Sequence, residues 1–582
     1  MKLFPKIIYI FLFIILLANF KLAAQLLKNY NYALPLDIPL KLAGSFGEIR
    51  LNHLHSGTDF RTLGITGLNV YAIEEGYVSR IKIEPDGYGK AIYITHPNGY
   101  VSLYGHLERF RNDIEKYCKN EQYKQSTYSI DVILKPREIS IKKGDFIAWS
   151  GNTGGTSGPH LHLEIREEKS QDPVNPLLYF QKNISDTIPP VIEKVWIYPL
   201  SEKSAVNRQF ATAYYNVTSS GTKEKLTNEL PILVKGDIGF GIQTYDRSDG
   251  TTIRSGVYSI DLYENNNLIF QQTVDKYSFA ELRYVNSLID YEYYIRNQKK
   301  INRLYIQPNN HFSIYKQEVN RGIVEVNDTV WYQIRIVVRD AFRNETELNF
   351  RLKGDLKSPE TKISATEPGV NEQKMFYQRD NEFQQGNVRV FVPKNALYDD
   401  FLFDFSMLPQ QRGYYSEFYQ IHNRYTPLHK SASLRIKPTH LPERLNDKAL
   451  LLNLDERGQV LWNGGNYKDG YVTANIRTFG KYVVGVDTIP PTIKLKSRHL
   501  KNNNFTRWKR ISFTIKDDLS GIKSYNGFVD GHWVLFEYDP KQDLLFYEFD
   551  PDRLKFGLKH TLDLKVTDEK NNTGKYHTEF FK

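Results

Sequence analysis

The hydrophobic pattern of this chain is mainly that of short β-strands. Polar and apolar residues alternate from His160 to Ile165, and successive side chains of a strand point to opposite faces. Residues 69–73, 77–83 and 90–95 alternate or are apolar over strand length, and glycines separate them. The pattern predicts an all-β first domain, an antiparallel β-sheet over residues 25–185.

An internal repeat follows this domain. Asp-Thr-Ile-Pro-Pro occurs twice, and each copy precedes a Ser-Gly turn and then a V-x-D-x-x-x-N motif; the copies lie at 186–190, 255–256 and 338–344, and at 487–491, 520–521 and 566–572. Paired prolines suit a linker or the edge of a first strand, because proline cannot donate to a β-ladder. We therefore predict immunoglobulin-like β-sandwiches at 186–355, with insertions, and at 487–582.

Two further segments are less regular. Residues 356–486 are aromatic and β-rich but have no recognisable motif, so we predict a β-rich domain of uncertain type, another sandwich. Residues 109–140 interrupt the first domain. This insertion is expected to begin as a helix, up to Tyr123, and to continue as a strand over 128–134. Surface insertions often edge a groove, so a substrate-rim role and a neutral decoration both remain open.

The N-terminus is predicted to be a signal peptide. Lys2 and Lys6 precede an apolar run that is short for a membrane span, and cleavage is expected after Ala24. Leu22 departs from the small-residue rule at its position, so whether the segment 1–24 is removed stays open. We expect an exported protein of the periplasm or cell envelope, or one released outside the cell.

Composition narrows the classes of partner. The formal net charge of +10 is spread along the 582 residues, which does not indicate nucleic-acid binding.

Cys118 is the single cysteine, so the domains must be stable without an intramolecular disulfide, and we expect an unpaired structural thiol.

The candidate chemistry lies in two short stretches. His160, His162 and Glu164 share one face of their predicted strand, and two imidazoles on one face suit zinc. His55 and Asp59 are four residues apart, with Gly57 between them. Two ligands from this pair and one from the strand would complete the three-ligand set of a catalytic zinc site.

One histidine of the strand is then left over, and His106, within Tyr104-Gly105-His106-Leu107, is a further candidate. These two histidines are candidates for proton transfer and for stabilising an oxyanion. His53 and His96 lie near the motifs in sequence, and we expect them at the rim of the site or in structural roles.

Taken in order, the HxxxD, YxHL and GNTGxTSGPHLHLE motifs resemble the lysostaphin-type (LytM-like) zinc endopeptidases, which cut peptide cross-links in bacterial peptidoglycan. The resemblance covers roughly residues 40–180. It implies that His55, Asp59 and His162 bind one Zn²⁺ per chain, and that His106 and His160 are catalytic. Tyr104 is a further candidate for substrate binding, and the resemblance does not say which histidine is the general base.

Two rival functions remain at this stage. Some members of the family have lost zinc ligands and activate other wall hydrolases, although this chain keeps the ligands. The protein could also be a wall-anchored adhesin that works through its sandwiches. Peptidoglycan is the expected partner, with cell-envelope proteins as further partners of the C-terminal sandwiches. The bond that is cut and the oligomeric state are left open.

Overall fold

The computed structural model describes residues 31–220, 223–227, 230–357, 373–496 and 503–582. The predicted all-β class is confirmed, because strands far outnumber helices in these residues. The predicted signal peptide, 1–24, lies outside the described residues. Among those residues, no helix combines the length and apolarity needed to cross a membrane. The predicted domain boundaries stay predictions, and the chain is described below as four β regions.

The first β region, residues 32–184, has its own hydrophobic core. Its main sheet has the order β1-β4-β13-β8-β7-β6-β10, and a smaller sheet has the order β5-β12-β9. Its strands are β1 Leu42–Gly44, β2 Ile49–Arg50, β3 His53–Leu54, β4 Thr58–Arg61, β5 Asn69–Tyr71, β6 Gly76–Ile83, β7 Lys90–Thr95, β8 Tyr100–Gly105, β9 Leu107–Phe110, β10 Ile130–Ile133, β11 Ser140–Ile141, β12 Phe146–Ser150, β13 His160–Glu167 and β14 Pro173–Val174; its helices are α1 Asn112–Gln125 and α2 Leu177–Phe180.

Strand β13 is an interior strand of the main sheet, with a neighbouring strand on each side. Leu161, Leu163 and Ile165 are fully buried in the core, as the alternating pattern predicts. Strands β4 and β8 pair with β13 on its two sides, antiparallel in both cases. The histidine face of β13 is therefore flanked by residues from both neighbouring strands.

The insertion folds as its sequence predicts, with a helix, α1, followed by a strand, β10. Cys118 is a free thiol on the buried face of α1, and burial raises the pKa of this thiol, so it is protonated and structural. The outer side of α1 contacts the last β region of the chain, residues 492–582. Lys119 forms an ion pair with Asp550 at 2.7 Å, and the ring of Tyr123 meets that of Trp533 edge-on at 5.3 Å.

The second β region, residues 191–354, contains the first repeat. Its sheet follows the order β16-β19-β15-β17-β18-β26-β25-β20-β21-β23 around a separate core. Its strands are β15 Val191–Pro199, β16 Ala205–Val206, β17 Ala213–Ser220, β18 Lys223–Leu226, β19 Ile232–Tyr245, β20 Ser259–Glu264, β21 Asn267–Thr273, β22 Asn302–Arg303, β23 Tyr315–Glu318, β24 Val324–Val326, β25 Trp331–Arg339 and β26 Glu345–Gly354; its helices are α3 Val285–Leu288 and α4 Tyr291–Asn297, with 3-10 turns at Phe279–Tyr284 and Asn320–Gly322.

The third β region, residues 373–486, encloses a core between sheets of order β28-β29-β33-β37-β36 and β31-β32-β38-β34-β35. Its strands are β27 Gln373–Met375, β28 Asn381–Gln385, β29 Val388–Val392, β30 Phe401–Phe403, β31 Phe405–Leu408, β32 Phe418–Ile421, β33 Pro427–Ile436, β34 Ala449–Leu454, β35 Val460–Gly464, β36 Asn466–Lys468, β37 Tyr471–Thr478 and β38 Gly480–Val486, with a 3-10 turn at Glu443–Lys448.

The fourth β region, residues 492–582, contains the second repeat. Sheets of order β39-β40-β44-β43 and β42-β41-β45-β46 enclose its core. Its strands are β39 Thr492–Leu495, β40 Arg510–Lys516, β41 Ile522–Val529, β42 His532–Val534, β43 Phe536–Asp539, β44 Leu544–Glu548, β45 Lys559–Asp568 and β46 Thr573–Phe581, with a 3-10 turn at Pro540–Gln542.

The repeat is structural as well as sequential. In both copies the asparagine that ends the V-x-D-x-x-x-N motif donates to the backbone carbonyl of the aspartate that begins Asp-Thr-Ile-Pro-Pro. Asn344 Nδ2 is 3.0 Å from the Asp186 oxygen, and Asn572 Nδ2 is 3.0 Å from the Asp487 oxygen. This contact ties the last hairpin of each sandwich to its first strand.

The first β region packs against both repeats. Phe46 and Leu54 share a hydrophobic cluster with residues of the second region. On the other side, Lys90 is 7% exposed and pairs with Glu537 of the fourth region at 3.0 Å. Burial alone would lower the pKa of Lys90, but Glu537, Tyr128 and Glu115 together outweigh it and raise that pKa, so the lysine is charged. The C-terminal regions therefore contact the first region directly.

Candidate metal centre

Three donor atoms converge where β4 meets β13. Asp59 on β4 lies directly opposite His162 on β13, and His55 comes just before β4. Asp59 Oδ1 is 3.0 Å from His55 Nε2 and 2.8 Å from His162 Nδ1, and the two ring nitrogens are 3.0 Å apart. All three side chains are buried, so His55, Asp59 and His162 could hold a metal ion.

Each histidine of this triad is oriented by an acceptor on its other ring nitrogen. His55 Nδ1 is 2.8 Å from the Ser45 carbonyl oxygen, so Nδ1 carries the hydrogen and Nε2 faces Asp59. His162 Nε2 is 2.9 Å from Glu164 Oε1, which leaves Nδ1 for the triad. Hydrogen bonds of this kind fix the tautomer and ring orientation of metal-binding histidines.

Glu164 is held in place by three donors. Its side chain is fully buried; Arg166 Nε donates to Oε2, while the Tyr88 and Ser56 hydroxyls donate to Oε1, each at 2.6 Å. Burial would raise the pKa of Glu164, but Arg166 and His162 outweigh it, so the carboxyl is ionised. The sequence pattern put Glu164 on the histidine face without giving it a role, and it did not single out Tyr88 or Arg166.

The electrostatics of the triad favour a cation. Burial would raise the pKa of Asp59, but His55, His160 and His162 hold it well below its usual value. Burial would lower the pKa of His162, yet its hydrogen bonds to Asp59 and Glu164 raise that pKa to about 9. A positive charge is therefore stabilised between the carboxylates of Asp59 and Glu164. The two histidine nitrogens and the one carboxylate oxygen of the triad are a donor set that suits zinc.

His106 and His160 lie beside the triad. Their ring centroids are 4.8 Å apart, and His160 Nε2 is 3.4 Å from Asp59 Oδ1. His106 Nδ1 is 2.8 Å from the Thr153 carbonyl, and His160 Nδ1 is 2.8 Å from the Gly158 carbonyl, so each ring keeps Nε2 free of these bonds. Burial, with the nearby His162 and His160, lowers the pKa of His106 to about 3.

Only glycine fits at position 57, because any side chain there would collide with β13. A Cβ added there would lie 2.5 Å from the Leu163 carbonyl oxygen and 2.8 Å from the His162 ring. The glycine therefore lets the segment between His55 and Asp59 pass directly over β13, which brings the candidate ligands of this segment close to His162.

Tyr104 does not line the site. It pairs with Leu163 of β13, and directly opposed residues project to the same face, which here is the core. Its side chain is fully buried, and its hydroxyl accepts a hydrogen bond from the Ile73 amide at 2.8 Å. The expectation of substrate binding by Tyr104 is therefore not supported; Tyr88 is the tyrosine beside His162, with ring centroids 5.4 Å apart.

The other histidines near the motifs are apart from the triad. His96 is buried and bridges the Glu75 carbonyl and the Ser102 hydroxyl, at 2.7 and 2.8 Å. His53 is exposed, with Nδ1 2.9 Å from the Leu51 carbonyl. Both therefore have structural or peripheral positions.

Two protein families match parts of the chain. The model for peptidase family M23 matches residues 53–123, which include His55, Asp59 and His106. The model for a Zu5-like domain matches residues 372–487, the segment for which the sequence offered no motif.

Curated relatives match the first β region. The DD-carboxypeptidase/endopeptidase Mpg of Neisseria meningitidis is 32% identical over 124 residues, 21% of this chain and 22% of that protein. The peptidoglycan DD-endopeptidase ShyA of Vibrio cholerae is 28% identical over 137 residues, 22% of this chain and 26% of that protein. The chain thus spans only about a quarter of the length of these relatives.

A shorter relative is covered almost completely. The lipoprotein NlpD of Yersinia enterocolitica is 31% identical over 116 residues, which are 20% of this chain and 93% of that protein.

Replacing Glu164 tests the orientation of His162. We expect Glu164→Gln to weaken metal binding by about 10–100-fold, because the amide is a poorer acceptor for the His162 Nε2 hydrogen. The measurement is competition for Zn²⁺ against a chromophoric chelator. Glu167→Gln, a change in the carboxylate that pairs with Lys276 at the end of the same strand, is the matched control and should bind as the unaltered protein does. Equal affinity in both variants would contradict the role of Glu164.

Proposed function

The chain belongs to peptidase family M23, the LytM-type peptidoglycan metalloendopeptidases, and we propose from this premise that it is a zinc-dependent endopeptidase that hydrolyses peptide cross-links of bacterial peptidoglycan. The observation that supports this most strongly is the convergence of His55 Nε2, Asp59 Oδ1 and His162 Nδ1 within 3.0 Å of one another. A complete donor set also favours hydrolysis over a non-catalytic activator with a vacant groove.

The donor set favours zinc among the common metals. Zinc takes histidine nitrogens and a carboxylate oxygen, and catalytic sites use three protein ligands and keep one position open. A zinc ion bound here would supply Lewis-acid chemistry, lowering the pKa of a water molecule and polarising the scissile carbonyl. His55, Asp59 and His162 are the three protein ligands in this proposal.

His106 and His160 handle the proton and the developing charge. Each donates its Nδ1 hydrogen to a backbone carbonyl, so Nε2 is the atom that each presents to the reacting groups. One Nε2 accepts the proton of the attacking water, and the other, when protonated, donates a hydrogen bond to the carbonyl oxygen as its negative charge grows. Because both rings donate Nδ1 to a backbone carbonyl, these bonds do not decide which ring takes the proton, and kinetics must assign the two roles.

The proposed place of action is outside the cytoplasm. Peptidoglycan lies there, and the predicted signal peptide over residues 1–24 would direct export. The ShyA and Mpg names include endopeptidase activity, and ShyA is named for peptidoglycan, which supports the same substrate for this chain.

The function is tested on purified sacculi. Protein loaded with one equivalent of Zn²⁺ should convert cross-linked muropeptides to uncross-linked ones, as mass spectrometry would show, and should leave glycan strands intact. Chelation should abolish the conversion, and added Zn²⁺ should restore it. Full hydrolysis after metal removal, verified by elemental analysis, would reject the proposal, as would release of glycan fragments alone.

The two histidines of β13 should differ in their effects. His162→Ala should lower zinc occupancy and activity together, because a three-ligand site loses one ligand. His160→Ala should retain zinc and lose about 10²–10⁴-fold in rate, the usual loss when acid–base help is removed. Zinc per chain and the hydrolysis rate are measured for both variants, with circular dichroism as the folding control. If His160→Ala empties the site and His162→Ala keeps its metal, the two assignments are reversed.

A further inference from the structure

A second group of potential metal ligands lies in the second β region, at its junction with the first. Asp186 begins the Asp-Thr-Ile-Pro-Pro segment, Asp246 follows β19, and Asp340 follows β25. One carboxylate oxygen from each lies within 4.8 Å of the others. This acidic triad brings together parts of the chain that are about 150 residues apart in sequence, which the repeat motif alone could not predict for Asp246.

The protein satisfies only part of this triad. Both carboxylate oxygens of Asp340 accept hydrogen bonds. Oδ1 accepts from the backbone amides of Phe342 and Asn344 at 2.8 Å, and Oδ2 accepts from Asn344 Nδ2 at 2.7 Å. Asp246 is 5% exposed, and its Oδ1 is buried without a hydrogen-bond partner among the described residues. The same holds for Asp186 Oδ2 within the part of the chain that the structure describes.

Within the described ranges, none of these three carboxylates forms an ion pair with a positive side chain. Burial, followed by the charges of Asp340 and Asp186, raises the pKa of Asp246 to about 8. A buried, unpartnered carboxylate oxygen that faces two others costs free energy unless a donor or a cation occupies the space between them.

The second repeat provides an internal contrast. Its corresponding triad is Asp487, Asp517 and Asp568. There Asp517 Oδ2 accepts the Leu519 and Gly521 amides at 3.1 and 2.7 Å, and Asp487 Oδ2 accepts the Ser520 amide at 3.0 Å. In the second triad, backbone amides thus donate to carboxylate oxygens of Asp487 and Asp517, whereas an oxygen of Asp186 and one of Asp246 have no donor in the first triad. The two copies therefore differ in whether buried carboxylate oxygens lack a hydrogen-bond donor.

We propose that Asp186, Asp246 and Asp340 form a calcium site that fastens the linker between the first and second β regions to the sandwich. Calcium takes six to eight oxygen ligands at about 2.3–2.6 Å in flexible geometry, so oxygens up to about 5 Å apart can share one ion. Magnesium requires about 2.0–2.1 Å in an octahedron, which is a tighter arrangement. The site is separate from the histidine centre and does not depend on the proposed peptidase function.

Isothermal titration with CaCl₂ tests this proposal on the full chain, stripped of metal and then reloaded with one equivalent of Zn²⁺. The unaltered protein should bind Ca²⁺ and unfold at a higher temperature in its presence. Asp246→Asn should weaken that binding on the order of tenfold or more, because calcium affinity follows the charge of its ligands. In a calcium-free buffer at neutral pH the same variant should unfold at a higher temperature than the unaltered protein, because folding no longer buries a carboxyl that must take up a proton to be buried.

Asp517→Asn, the corresponding change in the second repeat, is the matched control and should retain the Ca²⁺ binding that Asp246→Asn loses. Both variants should show the far-UV circular dichroism of the unaltered protein. Absence of Ca²⁺ binding at millimolar CaCl₂, equal binding by Asp246→Asn and the unaltered protein, or loss in Asp517→Asn alone would overturn the proposal. Tighter binding of Mg²⁺ than of Ca²⁺ would overturn the assignment to calcium.

Discussion

The hydrogen bond between His162 and Glu164 is the interaction on which the candidate centre depends. It fixes the ring so that Nδ1 meets His55 Nε2 and Asp59 Oδ1, and it is itself secured by Arg166, Tyr88 and Ser56. A carboxylate that is buried and fully bonded cannot turn away from the ring without leaving several donors unsatisfied. The orientation of His162, a candidate metal ligand, therefore depends on this whole network of hydrogen bonds.

The same network extends into the second β region. The guanidinium of Arg166 lies over the ring of Phe279, 4.6 Å from its centroid. Ser45, whose carbonyl orients His55, has its hydroxyl bonded to the amide of Gly256 at 3.0 Å. The second β region thus supports His55 through Ser45, and His162 through Glu164 and Arg166. The sequence suggested the C-terminal sandwiches as binding sites for cell-envelope proteins, and the structure adds a direct packing role for them.

The sequence predicted those parts of the structure that depend on local pattern. Alternation placed His160, His162 and Glu164 on one face of β13, and the inserted helix and strand were found where composition indicated them. Register could not be predicted, because it depends on which strands pair. Tyr104 alternates with its neighbours as a site residue would, yet its pairing with Leu163 turns it to the core. Arg166 and Tyr88 were missed for the same reason, since their roles depend on the position of Glu164 in three dimensions.

The central claim is that His55, Asp59 and His162 are the metal ligands, oriented by Ser45 and Glu164. A crystal structure of the zinc-loaded protein, with anomalous diffraction measured on both sides of the zinc absorption edge, tests it most directly. The account predicts one strong peak within bonding distance of His55 Nε2, Asp59 Oδ1 and His162 Nδ1, with Glu164 still bonded to His162 Nε2. A peak bound by His160 or His106 in place of His162, or a peak away from β13, would contradict it.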